Sequence, residues 1–254
     1  MPSRPRPPRS RVARAGAAAV LASAALLAGG CSGPSFGQPD PVTDQGDSIR
    51  SLWSGSVIAA LAVGAFVWGL IGWALIRYRR RSDALPSQNP LNVPIEILYT
   101  VVPIIIVAVL FAFTVRTERE VGEGAAGGPP DVVVDVVGFQ WQWQFEYPAE
   151  GITVTGASAG EPPEMVLPVG QTIRFNLRAA DVNHSFWVPR FLAKRDLIPG
   201  VRNSMTVDTN TLGAFVGRCA EFCGLDHWRM NFAVRVVEPA AYERWVAEQQ
   251  AGGS

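Results

Sequence analysis

The chain has 254 residues, 48% of them hydrophobic, and its 22 Lys and Arg balance its 22 Asp and Glu to a formal charge of zero. There is no basic surplus to attract nucleic acid, no C-x-x-C-H run to attach haem, and neither of the two His lies in a long apolar segment. Oxygen chemistry at haem is therefore excluded from this chain on its own.

Met1 to Gly30 carries Arg4, Arg6, Arg9, Arg11 and Arg14, then an apolar run from Ala15 to Ala28 and two glycines ahead of Cys31. This is the order of a secretory signal peptide. A cysteine directly after it predicts cleavage before Cys31 and lipid attachment to its sulfur, as in bacterial lipoproteins. The Leu usual three places before such a cysteine stands one further back, at Leu27, so plain cleavage and an uncleaved anchor stay open. Residues 31–51 then form an extracytoplasmic N-terminal segment.

Leu52 to Ile76 and Ile95 to Val115 are each at or above the roughly twenty apolar residues that cross a bilayer as a helix. By the positive-inside rule, Arg77-Tyr78-Arg79-Arg80-Arg81 between them belongs in the cytoplasm. Residues 52–116 thus read as a transmembrane hairpin with both ends outside. Glu96 follows Pro94 in the first turn of the second helix, where an acidic side chain favours the helix dipole. Residues 117–130, charged and then rich in Gly, Ala and Pro, read as a linker.

From Asp131 to Glu238 short β-rich segments, such as Val132 to Val137 and Thr172 to Leu177, alternate with Gly, Pro and Asn turns. About a hundred residues of this pattern predict one all-β sandwich or Greek-key barrel. Phe139 to Phe145 alternates aromatic residues with Gln, which predicts one strand with Phe139, Trp141, Trp143 and Phe145 on its core face. After Pro239, Tyr242, Trp245 and Val246 fall at helical spacing and predict a closing amphipathic helix within 239–254. Thr117 to Ser254 holds 17 Asp and Glu against 11 Lys and Arg, a net charge of −6 that suits a cationic partner.

Cys219-Ala220-Glu221-Phe222-Cys223-Gly224-Leu225-Asp226-His227-Trp228-Arg229-Met230 puts two thiols, an imidazole and a thioether in one short loop. The other histidine stands upstream, in Asp181-Val182-Asn183-His184. Thiolate and thioether sulfur select soft metals, imidazole suits copper in either oxidation state, and Met after Cys and His is the ligand order of electron-transfer copper sites. A mononuclear site of that kind needs one Cys, so the second thiolate points to a second ion. Two bridging sulfurs would leave one histidine per copper, Met230 as a weak ligand to one, and a main-chain carbonyl such as that of Glu221 to the other. Gly224 permits the sharp turn ahead of His227. A Cys219–Cys223 disulfide and a structural zinc site are the plainer readings, and neither accounts for Met230.

With these residues in view, the chain from about Ser51 to Trp245 resembles subunit II of the haem-copper cytochrome c oxidases, which carries the binuclear copper centre CuA. The resemblance rests on the helix pair, on Gln140-Trp141-Gln142-Trp143, on the Asp181 to Pro189 segment and on the cysteine loop. It implies a cupredoxin barrel over 131–238, with Cys219 and Cys223 as bridging thiolates and His184 and His227 as terminal imidazoles. Met230 would be the axial thioether and Glu221 the carbonyl ligand, its carboxylate reaching magnesium or manganese at the boundary with subunit I. Trp141 would be the electron-entry residue, and Glu96, seven residues before Pro103, would lie near the entrance of a proton path in subunit I. Asp181, three residues before His184, is the docking candidate for cytochrome c.

The implied function is electron entry in an oxygen-reducing, proton-translocating enzyme of the bacterial cell membrane. Electrons would pass from cytochrome c through this subunit to haem in subunit I. Nitrous oxide reductase shares the ligand pattern but not the two preceding helices. A quinol-oxidase subunit II shares the helices but lacks the copper ligands. A membrane-tethered copper carrier is the alternative of another class, and Trp141, Glu221 and the helix pair argue against it.

Overall fold

The computed structural model describes residues 35–83, 85, 88, 90–123, 128–156 and 162–252. The expected signal peptide over 1–30 and the lipidation of Cys31 fall outside them.

Two long helices come first, α1 (Asp44–Arg77) and α2 (Val93–Glu123), of 34 and 31 residues. At ~1.5 Å per residue each exceeds the roughly 30 Å of hydrocarbon by several turns. Their apolar side chains, Phe66, Trp68, Ile104 and Phe111 among them, are exposed along the chain itself, as lipid-facing or subunit-facing surfaces would be. Both helices begin earlier than the apolar runs predict, because caps rather than hydropathy set their starts. Thr43 caps α1, its Oγ1 accepting the Gly46 N–H at 3.1 Å, with Asp44 and Asp47 in the first turn. Asn92 and Glu96 cap α2 reciprocally: Asn92 Oδ1 accepts from Ile95 N at 3.4 Å and Glu96 Oε1 from Asn92 N at 3.1 Å.

The linker also starts later than expected. Residues 117–123 continue α2, where the Arg116–Glu120 pair at 2.9 Å spans one helical turn and the residues are good helix formers. Only the Gly- and Pro-rich remainder joins α2 to the β domain.

That domain is a sandwich of two five-stranded sheets, ordered β3-β2-β1-β5-β8 and β4-β10-β9-β6-β7. The strands of the first are β1 (Val132–Phe139), β2 (Gln142–Tyr147), β3 (Ile152–Thr155), β5 (Thr172–Ala179) and β8 (Asn203–Asp208). Those of the second are β4 (Glu164–Pro168), β6 (His184–Val188), β7 (Ala193–Leu197), β9 (Gly213–Cys219) and β10 (Asn231–Val237). β1 with β5 and β4 with β10 run parallel, and the remaining pairs antiparallel.

Period-two patterning fills the space between the sheets with Val134, Val136, Trp143, Phe145, Phe175, Phe186, Phe232 and Val234, all buried. The Tyr147 hydroxyl crosses the sandwich, donating to Val166 O and accepting from Val166 N at 3.1 and 3.0 Å. The closing helix α3 (Pro239–Gly252) lays Tyr242 and Trp245 against the same end, the Trp245 and Tyr147 rings meeting at 5.1 Å.

The segment before α1 is built into this domain. Val42 is fully buried in the core cluster, its N–H donating to Arg190 O and its carbonyl accepting from Asn210 N, both at 3.1 Å. Gln45 clasps Asp208 with its side-chain amide donating to the carboxylate at 2.7 Å and accepting the backbone N–H at 2.8 Å.

The strand expected over Phe139–Phe145 is two strands. β1 ends at Phe139, the chain turns at Gln140–Trp141, and β2 starts at Gln142, with Phe139 opposite Gln142. Trp143 and Phe145 enter the core as expected, whereas Trp141 is only half-buried. The turn forms because hydrogen bonds to distant segments take up Gln140 and Trp141, as the site geometry shows.

Candidate metal centre

The cysteine loop joins β9 to β10 at one end of the sandwich. Its two ends are tied, the Cys219 N–H donating to Met230 O at 3.0 Å. β6 lies alongside β9 with Phe186 opposite Cys219, and Ala220 N donates to Ser185 O at 3.0 Å, which brings His184 beside Cys219. Local sequence alone would leave these residues 35 positions apart; sheet pairing closes the gap.

The donor atoms converge. The Cys219 and Cys223 sulfurs stand 3.9 Å apart, far beyond the ~2.05 Å of a disulfide, so the pair is open. His184 Nδ1 lies 3.8 Å from Cys219 Sγ, and His227 Nδ1 lies 3.6 Å from Cys223 Sγ. Each thiol thus has an imidazole beside it. Met230 Sδ is 3.7 Å from Cys223 Sγ, and the Glu221 carbonyl is 3.2 Å from Cys219 Sγ. Two sulfurs, two ring nitrogens, a thioether and a carbonyl facing one another form a soft donor set of the kind that suits copper, whereas structural zinc has no use for the thioether.

Electrostatics favour a cation here. Burial pushes the Cys219 thiol up, but the neighbouring imidazole of His184 and nearby main-chain groups outweigh it and hold the thiol below its ordinary range, at about 7. Burial and then the charge of Cys219 drive Cys223 the other way. One thiolate forms readily and resists the second, a resistance that a bound cation removes.

His184 is buried completely, and its orientation is over-determined. Its Nε2 meets Asp181 Oδ1 at 2.8 Å, which turns Nδ1 toward Cys219. Burial would lower this imidazole, and Cys219 and Asp181 together raise it instead. Beneath the ring runs the β1 backbone at Gly138, where an added Cβ would come within 3.2 Å of His184 Cγ and Cδ2.

Asp181, the docking candidate, is also built into the cluster. Besides His184, its carboxylate accepts from Gln140 N at 2.7 Å and Val182 N at 2.6 Å. Burial pushes its pKa up, and these three donors more than reverse that.

Gln140 and Trp141 continue the chain of contacts to the cysteine loop. Gln140 Nε2 and Trp141 Nε1 both donate to the Cys223 carbonyl, at 2.7 and 3.2 Å. Gly224, at φ +122°, follows directly, and a Cβ there would come within 3.2 Å of both side chains. The Gln140–Trp141 turn therefore bridges His184, through Asp181, to Cys223. Sequence reasoning missed Gly138 and Gln140; the glycine interrupting the Val run of β1, two residues before Gln140, was the available signal.

Outside this cluster, Phe222, Leu225 and Trp228 form an apolar rim with 77%, 81% and 74% of their surfaces exposed. The Arg229 guanidinium lies over the Trp228 ring at 5.3 Å, and Arg218 points outward on β9. Glu96 sits at the end of α2 remote from the domain.

Similarity to known proteins covers both halves of the chain. The family of the cytochrome c oxidase subunit II transmembrane domain matches residues 36–116, and that of its periplasmic domain matches 161–237. A probable cytochrome c oxidase subunit 2 of Streptomyces avermitilis is 44% identical over 250 residues, covering 83% of this chain and 78% of the relative. The chain belongs to the cytochrome c oxidase subunit II family. The Mycobacterium tuberculosis cytochrome c oxidase subunit 2 is 35% identical over 294 residues, covering 91% of this chain and 80% of that protein. The periplasmic domain of subunit II of cytochrome oxidase from Bradyrhizobium japonicum is 34% identical in a match that covers 50% of this chain and 99% of that domain, with a TM-score of 0.46.

As a subunit II, this chain is the electron-entry subunit of a cytochrome c oxidase, a membrane protein whose extracytoplasmic β domain holds a copper centre. Its carboxylate–histidine pair gives a direct prediction. Asp181→Asn removes the charged acceptor and is expected to weaken copper binding about 10- to 100-fold, the usual cost of losing a ligand's hydrogen-bond partner. Competition against a chelator of known affinity measures this. Unchanged copper affinity with weakened cytochrome c binding would leave Asp181 with the docking role alone.

Proposed function

We propose that the copper centre is binuclear, bridged by Cys219 and Cys223, with His184 and His227 as terminal ligands, Met230 as axial thioether and Glu221 as carbonyl ligand. The observation that carries this is the pairing of one imidazole with each sulfur, at 3.8 and 3.6 Å. When bound, the copper pair supplies a one-electron redox centre. The chain's own residues hold that centre still: sheet pairing positions Cys219 and His184, Asp181 fixes the His184 ring, and Gln140 and Trp141 fix the Cys223 main chain.

Cytochrome c is the donor in this reading, and haem in subunit I the acceptor, where oxygen reduction and proton pumping take place. Trp141 is the entry residue: its half-buried indole reaches from the surface turn to the Cys223 carbonyl in a single hydrogen bond. The apolar rim of Phe222, Leu225 and Trp228 is a surface for a partner subunit, with the Glu221 carboxylate available to magnesium or manganese at that boundary. Glu96 serves the cap of α2 and, by the family resemblance, the entrance of a proton path. The chain is placed in a bacterial cell membrane with Arg77–Arg81 in the cytoplasm and Cys31, as the lipidated first residue, outside.

Electron paramagnetic resonance of the purified oxidase, with its copper content, tests the reading. Hyperfine splitting from two copper nuclei sharing one unpaired electron supports it, and a single-copper signal overturns it. For Trp141→Phe, electron transfer from cytochrome c is expected to slow at least about tenfold, ~1.4 kcal/mol in the barrier, with copper content intact. Stopped-flow reduction measures this, and a wild-type rate would remove the entry role.

A further inference from the structure

We propose that Trp143 is a positioning residue for the copper centre, fixing the thioether of Met230 through that residue's main-chain carbonyl. The inference rests on the reading of Met230 as axial ligand.

Trp143 lies on β2, in the sheet opposite the one that carries the cysteine loop, and is buried completely. Its Nε1–H donates across the sandwich to Met230 O at 3.3 Å. The same carbonyl accepts the Cys219 N–H at 3.0 Å, so one oxygen joins the first thiol residue, the thioether residue and the indole. The indole also meets the His184 ring edge-on, with centroids 6.2 Å apart at 60°. Three of the six proposed ligand residues therefore depend on where this one side chain sits.

The indole has little freedom of its own. Phe232 packs against it at 5.3 Å and Phe186 at 6.1 Å, both edge-on, and all three side chains are buried. Met230, in contrast, follows the short turn His227–Arg229 and precedes β10 with φ −75° and ψ 69°, outside both helix and strand. Its direction is set by what its carbonyl bonds. A thioether is a weak ligand whose distance the protein dictates more than the metal does, and axial ligands tune redox potential. Rigidity at Trp143 is thus transmitted to the softest ligand of the set.

A buried indole N–H needs some acceptor in any core, so the test must separate tuning from satisfaction. In the purified oxidase, Trp143→Phe keeps an aromatic ring and removes the donor. The expected result is wild-type copper content with a shifted reduction potential and altered copper hyperfine splittings. Phe145→Leu, which changes the same strand but touches no ligand, should melt earlier without moving either signal. Wild-type potential and splittings in Trp143→Phe would overturn the proposal. If Trp143→Phe fails to assemble, β-(3-benzothienyl)alanine introduced at position 143 replaces N–H by sulfur at nearly constant volume, and the same two outcomes decide. The wild-type spectrum serves as the check on the underlying reading: without a two-copper signal there, that reading fails, independently of Trp143.

Discussion

Oxidase carrying Cys219→Ser in this subunit is expected to reach the membrane and assemble, yet to accept electrons from cytochrome c at no more than about 1% of the wild-type rate. Loss of a hydrogen-bond partner outside a metal's ligands costs ~10–100-fold in affinity or activity, and in the proposed centre Cys219 would serve both ions, so its loss should exceed the upper end of that range. Serine fills nearly the same space, so the fold should hold. Cys219 ends β9 with its N–H bonded to Met230 O, and neither feature depends on sulfur. The measurement is copper content together with stopped-flow reduction of the variant complex. Near-normal reduction with two coppers retained would mean that the bridge lies elsewhere.

Phe186→Ala should be the most damaging change that leaves every ligand in place. Phe186 is fully buried, stacks on Phe232 at 5.0 Å and 13°, and meets Phe175 at 5.0 Å. Truncating a core phenylalanine costs about 3–5 kcal/mol, part of it for the cavity left behind. For a domain of about a hundred residues that lowers Tm by roughly 15–30 °C. The position adds a second effect, because Phe186 stands opposite Cys219 and two residues after His184. The cavity opens between the sheets, beneath the strand that carries His184, so copper release on heating should follow the same displaced transition. Calorimetry with parallel metal analysis tests both effects, and Phe186→Leu, which retains most of the volume, should lose much less.

Much of this architecture is legible in the chain because it rests on local composition. The helices follow from two long apolar runs, the sandwich from short alternating segments, and the proposed ligand set from sulfur and imidazole crowded into twelve residues beside a lone upstream histidine. What escaped depends on contacts that no local window contains. Period-two alternation from Phe139 to Phe145 reads as one strand, whereas Gln140 and Trp141 are drawn out of it by a carbonyl more than 80 positions away. The spacing of Asp181 and His184 is visible in the sequence, but not that the carboxylate turns inward to the ring. Trp143 reads as one more core aromatic, since nothing nearby shows which carbonyl its N–H will meet. Helix ends shifted for the same reason: Thr43 and Asn92 set them through caps, to which hydropathy is blind.

The buried Val42 has a consequence for how the chain threads the membrane. It precedes both long helices, and the β domain whose core it enters follows both. A side chain cannot join a core across a bilayer, so the finished protein must make an even number of crossings, whatever its arginines dictate. Folding thereby fixes that both ends share one side, and charge fixes which side. A chain with one helix skipped would leave Val42 and the Gln45 clasp stranded from Arg190 and Asp208. Such a product would hold the two on opposite sides of the membrane and leave the sandwich short of a core residue.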